Sequence, residues 1–195
     1  MSSHIDLVFD TETTGMVDFR APYDAPQQPD LVQLAACLSQ GSFVLGEINF
    51  LIKPDREVHQ KAQEAHGITP EIIEMGAVPR RVALASFSQL MRKCTRLVAH
   101  NSDFDIKIIR AALHREGQQE AIQISSEKLV FCTMKSSTEI CKIPNPIRAG
   151  QYKWPSLQEA YRILVDPAGF DGAHNASVDT RACLSILRAL EKRAA

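Results

Sequence analysis

The sequence predicts an α/β fold containing both antiparallel and parallel strand pairs. Two observations predict it. Apolar runs at 31–38 and 43–52 are separated only by the turn Ser39-Gln40-Gly41, which reads as an antiparallel hairpin. Further on, a short apolar strand at Arg96–Ala99, a helical stripe, and a strand at Lys128–Cys132 read as a parallel crossover unit. The 195 residues are 45% hydrophobic, which suits one domain over residues 1–195 with a sizeable core.

The chain opens with the apolar run Leu7–Phe9, which suits a buried strand. Met16 to Asp30 carries Pro22, Pro26 and Pro29 and reads as a surface loop. After the hairpin, a short helical piece spans His59–His66 and Gly67 breaks it. Thr69 can cap the next, with Pro70 at its first position and Glu71 in its first turn; Gly76 and Pro79 end it. Over Arg80–Lys93, Val82, Leu84, Ala85, Phe87, Leu90 and Met91 form a helical stripe, with Arg80-Arg81 and Arg92-Lys93 expected on its solvated face. A further helix runs from about Phe104 to Glu116, placing Ile106, Ile109, Ala112 and Leu113 on one face. The proline- and glycine-containing stretch from Ile143 to Trp154 reads as a loop. Ser156 can cap a helix to about Ile163, and a last helix starts near Asn175, turning Cys183, Ile186, Leu187 and Leu190 to the core.

Net charge is -1, so binding to a polyanion needs local basic groups or bound metal. The five cysteines are odd in number, widely spaced and without Cys-x-x-Cys, against both a zinc site and a disulfide framework. Buried thiols in a reducing compartment, the cytoplasm, are the expectation. Residues 1–9 show no signal-peptide pattern, and no run approaches the ~20 apolar residues that span a bilayer, so no membrane partner is expected.

Asp10 and Glu12 come where the first strand ends. Residues two apart on a strand face the same way, so both carboxylates project from one side. Carboxylates that close repel each other, and a hard divalent cation such as Mg²⁺ is the natural counter-charge. Asp105 follows a buried strand near a helix start, the sheet edge where open α/β sheets bind ligands; Asp103 is its nearest rival. His174 and Asp179 are five apart, which on a continuous helix is a rotation of about 140°. They converge if His174 lies in the preceding loop and Asn175 caps the helix.

Taken together, Asp-Thr-Glu-Thr-Thr-Gly at Asp10–Gly15, His-Asn-x-x-Phe-Asp at His100–Asp105, His-x4-Asp at His174–Asp179 and His66-Gly67-Ile68-Thr69 resemble, in order, the motifs of the DnaQ-like, or DEDDh, 3′→5′ exonucleases. The family includes the epsilon proofreading subunit of DNA polymerase III and ribonuclease T. The resemblance covers nearly the whole chain. It implies a ribonuclease H-like fold, a central mixed five-stranded sheet flanked by helices, with which the strand reading agrees. It also assigns the second-motif carboxylate to Asp105, leaving Asp103 on the surface. Asp10, Glu12, Asp105 and Asp179 are then expected to hold two Mg²⁺ ions, with Mn²⁺ able to substitute, and His174 to be the general base.

For the substrate, Thr11, Thr13, Gly15 and Met16 are expected to line the pocket of the terminal nucleotide, and His66 matches the family position near its base. Asn101 is expected either to bond phosphate or to hold the second motif in shape. Arg148, Tyr152, Lys153 and Trp154 form a basic and aromatic cluster. Within it Trp154 is expected to pack before the Ser156 helix, and Arg148 and Lys153 to meet phosphate. The expected partner is a single-stranded 3′ end, DNA over RNA because Asp10–Met16 looks closer to proofreading enzymes. A ribonuclease T-like RNA exonuclease and an accessory subunit bound to a DNA polymerase are the alternatives. The epsilon-type tail beyond the nuclease domain is not seen, which favours a free-standing enzyme; a dimer is allowed.

Overall fold

A computed structural model describes residues 4–194. Its strands β1 (Asp6–Thr13), β2 (Leu31–Gln40), β3 (Phe43–Leu51), β4 (Arg96–Ala99) and β5 (Leu129–Cys132) form one sheet in the order β3-β2-β1-β4-β5. The hairpin is present: β2 pairs antiparallel with β3, and also with β1. The crossover is present too, since β4 lies parallel to both β1 and β5. The sheet is therefore mixed, as expected.

Alternation along β1 sorts the helices onto the two faces. Leu7 and Phe9 join Leu34, Phe87, Met91, Ile108 and Ala112 in the larger core, under α3 (Arg80–Lys93) and α4 (Ser102–Arg115). The rings of Phe9 and Phe87 meet edge to face, 5.2 Å between centroids; burying each contributes about 2–3 kcal/mol. Val8, Cys37 and Val98 point the other way and pack on Cys183, Leu184 and Leu187 of α8 (Ala176–Ala194). Short helices α1 (Gln60–His66) and α2 (Pro70–Gly76) follow the hairpin. Thr69 caps α2 by accepting the Ile72 N–H, and Ser156 with Glu159 forms a capping box on α7 (Leu157–Leu164).

Four differences from the sequence reading have physical causes. Helices α5 (Gln119–Glu127) and α6 (Thr133–Cys141) were not expected: both are rich in Ser, Thr and Gln and bury few apolar side chains. The 16–30 loop lies on the surface but is firmly braced. Gln28 is fully buried and donates to the carbonyls of Asp18 and Pro22, while Lys107 and Arg115 reach in to the carbonyls of Asp18 and Pro29. Arg80 is no solvated charge. It is nearly buried and pairs with Asp55 and Glu116, both at 2.9 Å. Lastly, the thiols are free and four are buried, but Cys141 is half-buried. Among the described residues no helix is long and apolar enough to cross a membrane.

Candidate active site

Strand β1 outruns β4. Their parallel pairing stops at Val8 and Val98, and β4 ends at Ala99. Beyond that point the chain turns through His100 and Asn101 into α4. Asn101 adopts φ 73°, a left-handed conformation that asparagine tolerates better than most residues. This turn brings Asp105 to the edge of β1 that β4 has left. Its Oδ1 accepts the Thr11 N–H at 3.1 Å and the Thr11 hydroxyl at 2.8 Å. His100 holds the turn: its ring meets Thr133 Oγ1 at 2.9 Å and the Pro155 carbonyl at 3.0 Å.

Asp10 and Glu12 share the β1 face of Val8, which is the face that α8 covers. His174 precedes α8 at φ 63°, and Asn175 Oδ1 accepts the Ser177 N–H at 3.1 Å, the capping that the sequence predicts. Gln33 of β2 accepts the Ala176 N–H at 3.0 Å and fixes the helix start against the sheet. The His174 N–H in turn donates to Asp179 Oδ2 at 3.0 Å. One ligand atom from each of Glu12, His174 and Asp179 falls within 4.8 Å of the others.

Burial and mutual repulsion push these acids up. Burial raises Asp10 well above the ordinary carboxylate range, and Asp105, Asp179 and Glu12 add to it. Glu12 is pushed to about 7 by burial and by Asp179. Burial takes Asp105 to about 8 against the opposing hydrogen bonds from Thr11. Asp179 is also raised by burial, and its Oδ1 is buried with no hydrogen-bond partner among the described residues. Clustered, disfavoured carboxylates with one oxygen orphaned fit a hard divalent cation.

Beside this cluster lies a cleft of about 620 Å³ whose walls include Glu12, Thr13, Gly15, Met16 and His66, a size suited to a small ligand. Met16 is 83% exposed there. His66 accepts the Ile68 N–H at 3.0 Å, and burial pushes its imidazole below the ordinary value. Thr11 faces Asp105 instead of the cleft. Asn101 sits at the start of α4, where its side chain makes no capping bond. Arg148 and Lys153 do not line the cleft.

Besides Thr11, three site details depart from expectation or were missed. Lys153 turns inward to Glu159 at 2.6 Å, while Trp154 is exposed, the reverse of the expected arrangement. His59 and Phe104 also line the cleft. Phe104 lies inside the second motif, which was the available signal. The contact between His59 and Gly15 joins distant segments and left no local signal. Asp103 is on the surface as expected, paired with Lys135 at 2.6 Å.

A family model described as exonuclease (RNase_T) matches residues 7–187. The chain is 29% identical over 201 residues to an uncharacterized exonuclease of Escherichia phage 186, covering 96% of this chain and 89% of that protein. It is 34% identical over 104 residues to a PolC-type DNA polymerase III of Thermotoga maritima, which is 53% of this chain but 7% of the polymerase. Among solved structures, exonuclease I of E. coli in complex with single-stranded DNA superposes with a TM-score of 0.71 at 19% identity, covering 98% of this chain and 41% of that one. That likeness shows the shared ribonuclease H-like fold.

Proposed function

From the premise that the chain belongs to the RNase_T exonuclease family, we propose a metal-dependent 3′→5′ exonuclease acting on single-stranded DNA, formed by residues 1–195 as one domain. The observation that carries this reading is the convergence of Asp10, Glu12, Asp105, Asp179 and His174 beside an open cleft. The carboxylates would hold two Mg²⁺ ions. When bound, such ions acidify the attacking water and neutralise charge at the attacking and leaving oxygens of the phosphodiester.

His174 is exposed at the mouth of the cluster and accepts the proton of the attacking water, a task suited to an imidazole with a free ring nitrogen. Asp179 receives the His174 backbone N–H, which keeps the imidazole next to the acids. The cleft holds the terminal nucleotide. Gly15 lets the backbone come close to the sugar, and Met16, Phe104 and His66 offer surfaces to the base that tolerate any of the four. The product is a nucleoside 5′-monophosphate. DNA is favoured because the structural relative named above was solved with single-stranded DNA and the polymerase relative is a DNA polymerase.

The test uses purified protein, Mg²⁺, and matched 5′-labelled single-stranded DNA and RNA. A ladder shortening from the 3′ end, lost with EDTA and in Asp10→Ala, is the expected result, with DNA the faster substrate. Faster RNA cleavage would reassign the substrate, and no cleavage of either strand would overturn the reading.

A further inference from the structure

Resting on the exonuclease reading above, we propose that Trp154 is a stacking platform for an unpaired base of the bound strand, outside the cleft that takes the terminal nucleotide. Trp154 is the chain's one tryptophan and is 62% exposed, although large aromatic rings are usually well buried. It does not line the terminal-nucleotide cleft.

Its backbone is held on both sides. Pro155 is buried, and its carbonyl accepts the Nε2–H of His100 at 3.0 Å. Ser156 immediately begins the capping box of α7. On the other side, Lys153 N–H donates to the Ile143 carbonyl at 2.9 Å and Asn145 N–H to the Gln151 carbonyl at 2.9 Å, closing a small antiparallel loop. Lys153 points to Glu159. Side chains two apart on extended backbone share a side, so Tyr152 and Trp154 lie opposite Lys153, toward solvent. Tyr152 is 39% exposed, and Arg148 and Lys142 are exposed in the same loop.

An exposed ring on a braced backbone, in a segment that also carries the exposed Arg148 and Lys142, matches how proteins grip unpaired bases on a polyanionic strand. The loop is also tied to the carboxylates. His100, which holds Pro155, is the first residue after β4 and leads into the turn that aims Asp105. The surface that carries Trp154 is thus built on the same support as Asp105.

The sole tryptophan makes the test direct. Wild-type protein with Mg²⁺ is titrated with thymidine monophosphate, then with a single-stranded oligothymidylate protected by a terminal phosphorothioate, while indole fluorescence is followed. The oligonucleotide should quench the indole and the mononucleotide should leave it unchanged. Trp154→Ala should raise KM for single-stranded DNA about 10-fold with little change in kcat or Tm, and Trp154→Phe should restore most of the loss. Normal cleavage of the strand with unchanged fluorescence at saturation, and an unchanged KM in Trp154→Ala, would overturn the platform alone. A fluorescence change with a protein partner but none with the strand would do the same. Absence of both binding and cleavage in the wild type would instead bring down the exonuclease reading, and the platform with it.

Discussion

Thr11 donates both its amide N–H and its hydroxyl to a single oxygen of Asp105, across 94 residues of sequence. These two bonds hold down an acid that burial pushes up to about 8. Thr11→Val keeps the shape and removes the hydroxyl. It should cost about 1 kcal/mol of stability and about 10-fold or more in divalent-ion affinity. Thermal melts and an ion titration of activity read the two effects. An unchanged ion requirement would detach Asp105 from the ion.

The raised acids set a pH dependence with a definite sign. Glu12 lies at about 7 and Asp105 at about 8 in the folded chain, above their unfolded values. Such groups keep their protons in the folded state after the unfolded chain has lost them. Stability is then greatest in acid and is lost as pH rises from about 4 toward 8. The Tm of ion-free protein should fall from about pH 5 to pH 8, and Mg²⁺ should flatten that fall. A Tm that rises across this window would contradict the electrostatics of the cluster.

His174 occupies φ 63°, so the choice of replacement matters. His174→Asn suits a left-handed backbone and keeps the N–H that Asp179 accepts. The expected outcome is a kcat lower by about 100-fold or more, with Tm and single-strand affinity nearly unchanged. Steady-state kinetics and a filter-binding assay separate the two. Turnover close to wild type would remove His174 from proton transfer.

Gly15 has no room for a methyl group, because a Cβ there would lie 2.7 Å from His59 Cδ2. Gly15→Ala must displace the His59 ring, which is exposed and can swing, so stability should hold while the cleft changes shape. KM should rise several-fold with kcat less affected. Adding His59→Ala should relieve part of the defect, a coupling that a double-mutant cycle measures. Strictly additive losses would show that the two residues do not share the pocket.

The grouping of Asp10 with Glu12 and of His174 with Asp179 was legible because each pair sits in a dense local pattern, carboxylates two apart after an apolar strand or a histidine five before an aspartate, while the choice of Asp105 over Asp103 came from the family resemblance. The strands were legible for a similar reason, since hairpin spacing and crossover length are local quantities. What escaped depended on tertiary partners or on elements without a local signal. Arg80 looks solvated until Glu116 and Asp55 fold against it. Lys153 and Trp154 exchanged their expected places because Glu159 draws the lysine inward. Helix α6 is Thr- and Ser-rich and continues directly from β5 without a cap, so neither propensity nor a start signal announces it.

The division of the acids among β1, α4 and α8 bears on how the protein is made. Synthesis delivers Asp10 early and Asp179 late. Until α8 arrives, the sheet face of Val8, Cys37 and Val98 lacks Cys183, Leu184 and Leu187 against it. A nascent chain on the ribosome thus holds three of the carboxylates but neither His174 nor Asp179. Docking of one helix closes the second core and completes the acid cluster in a single step. Closure of the second core and completion of the acid cluster therefore arrive together.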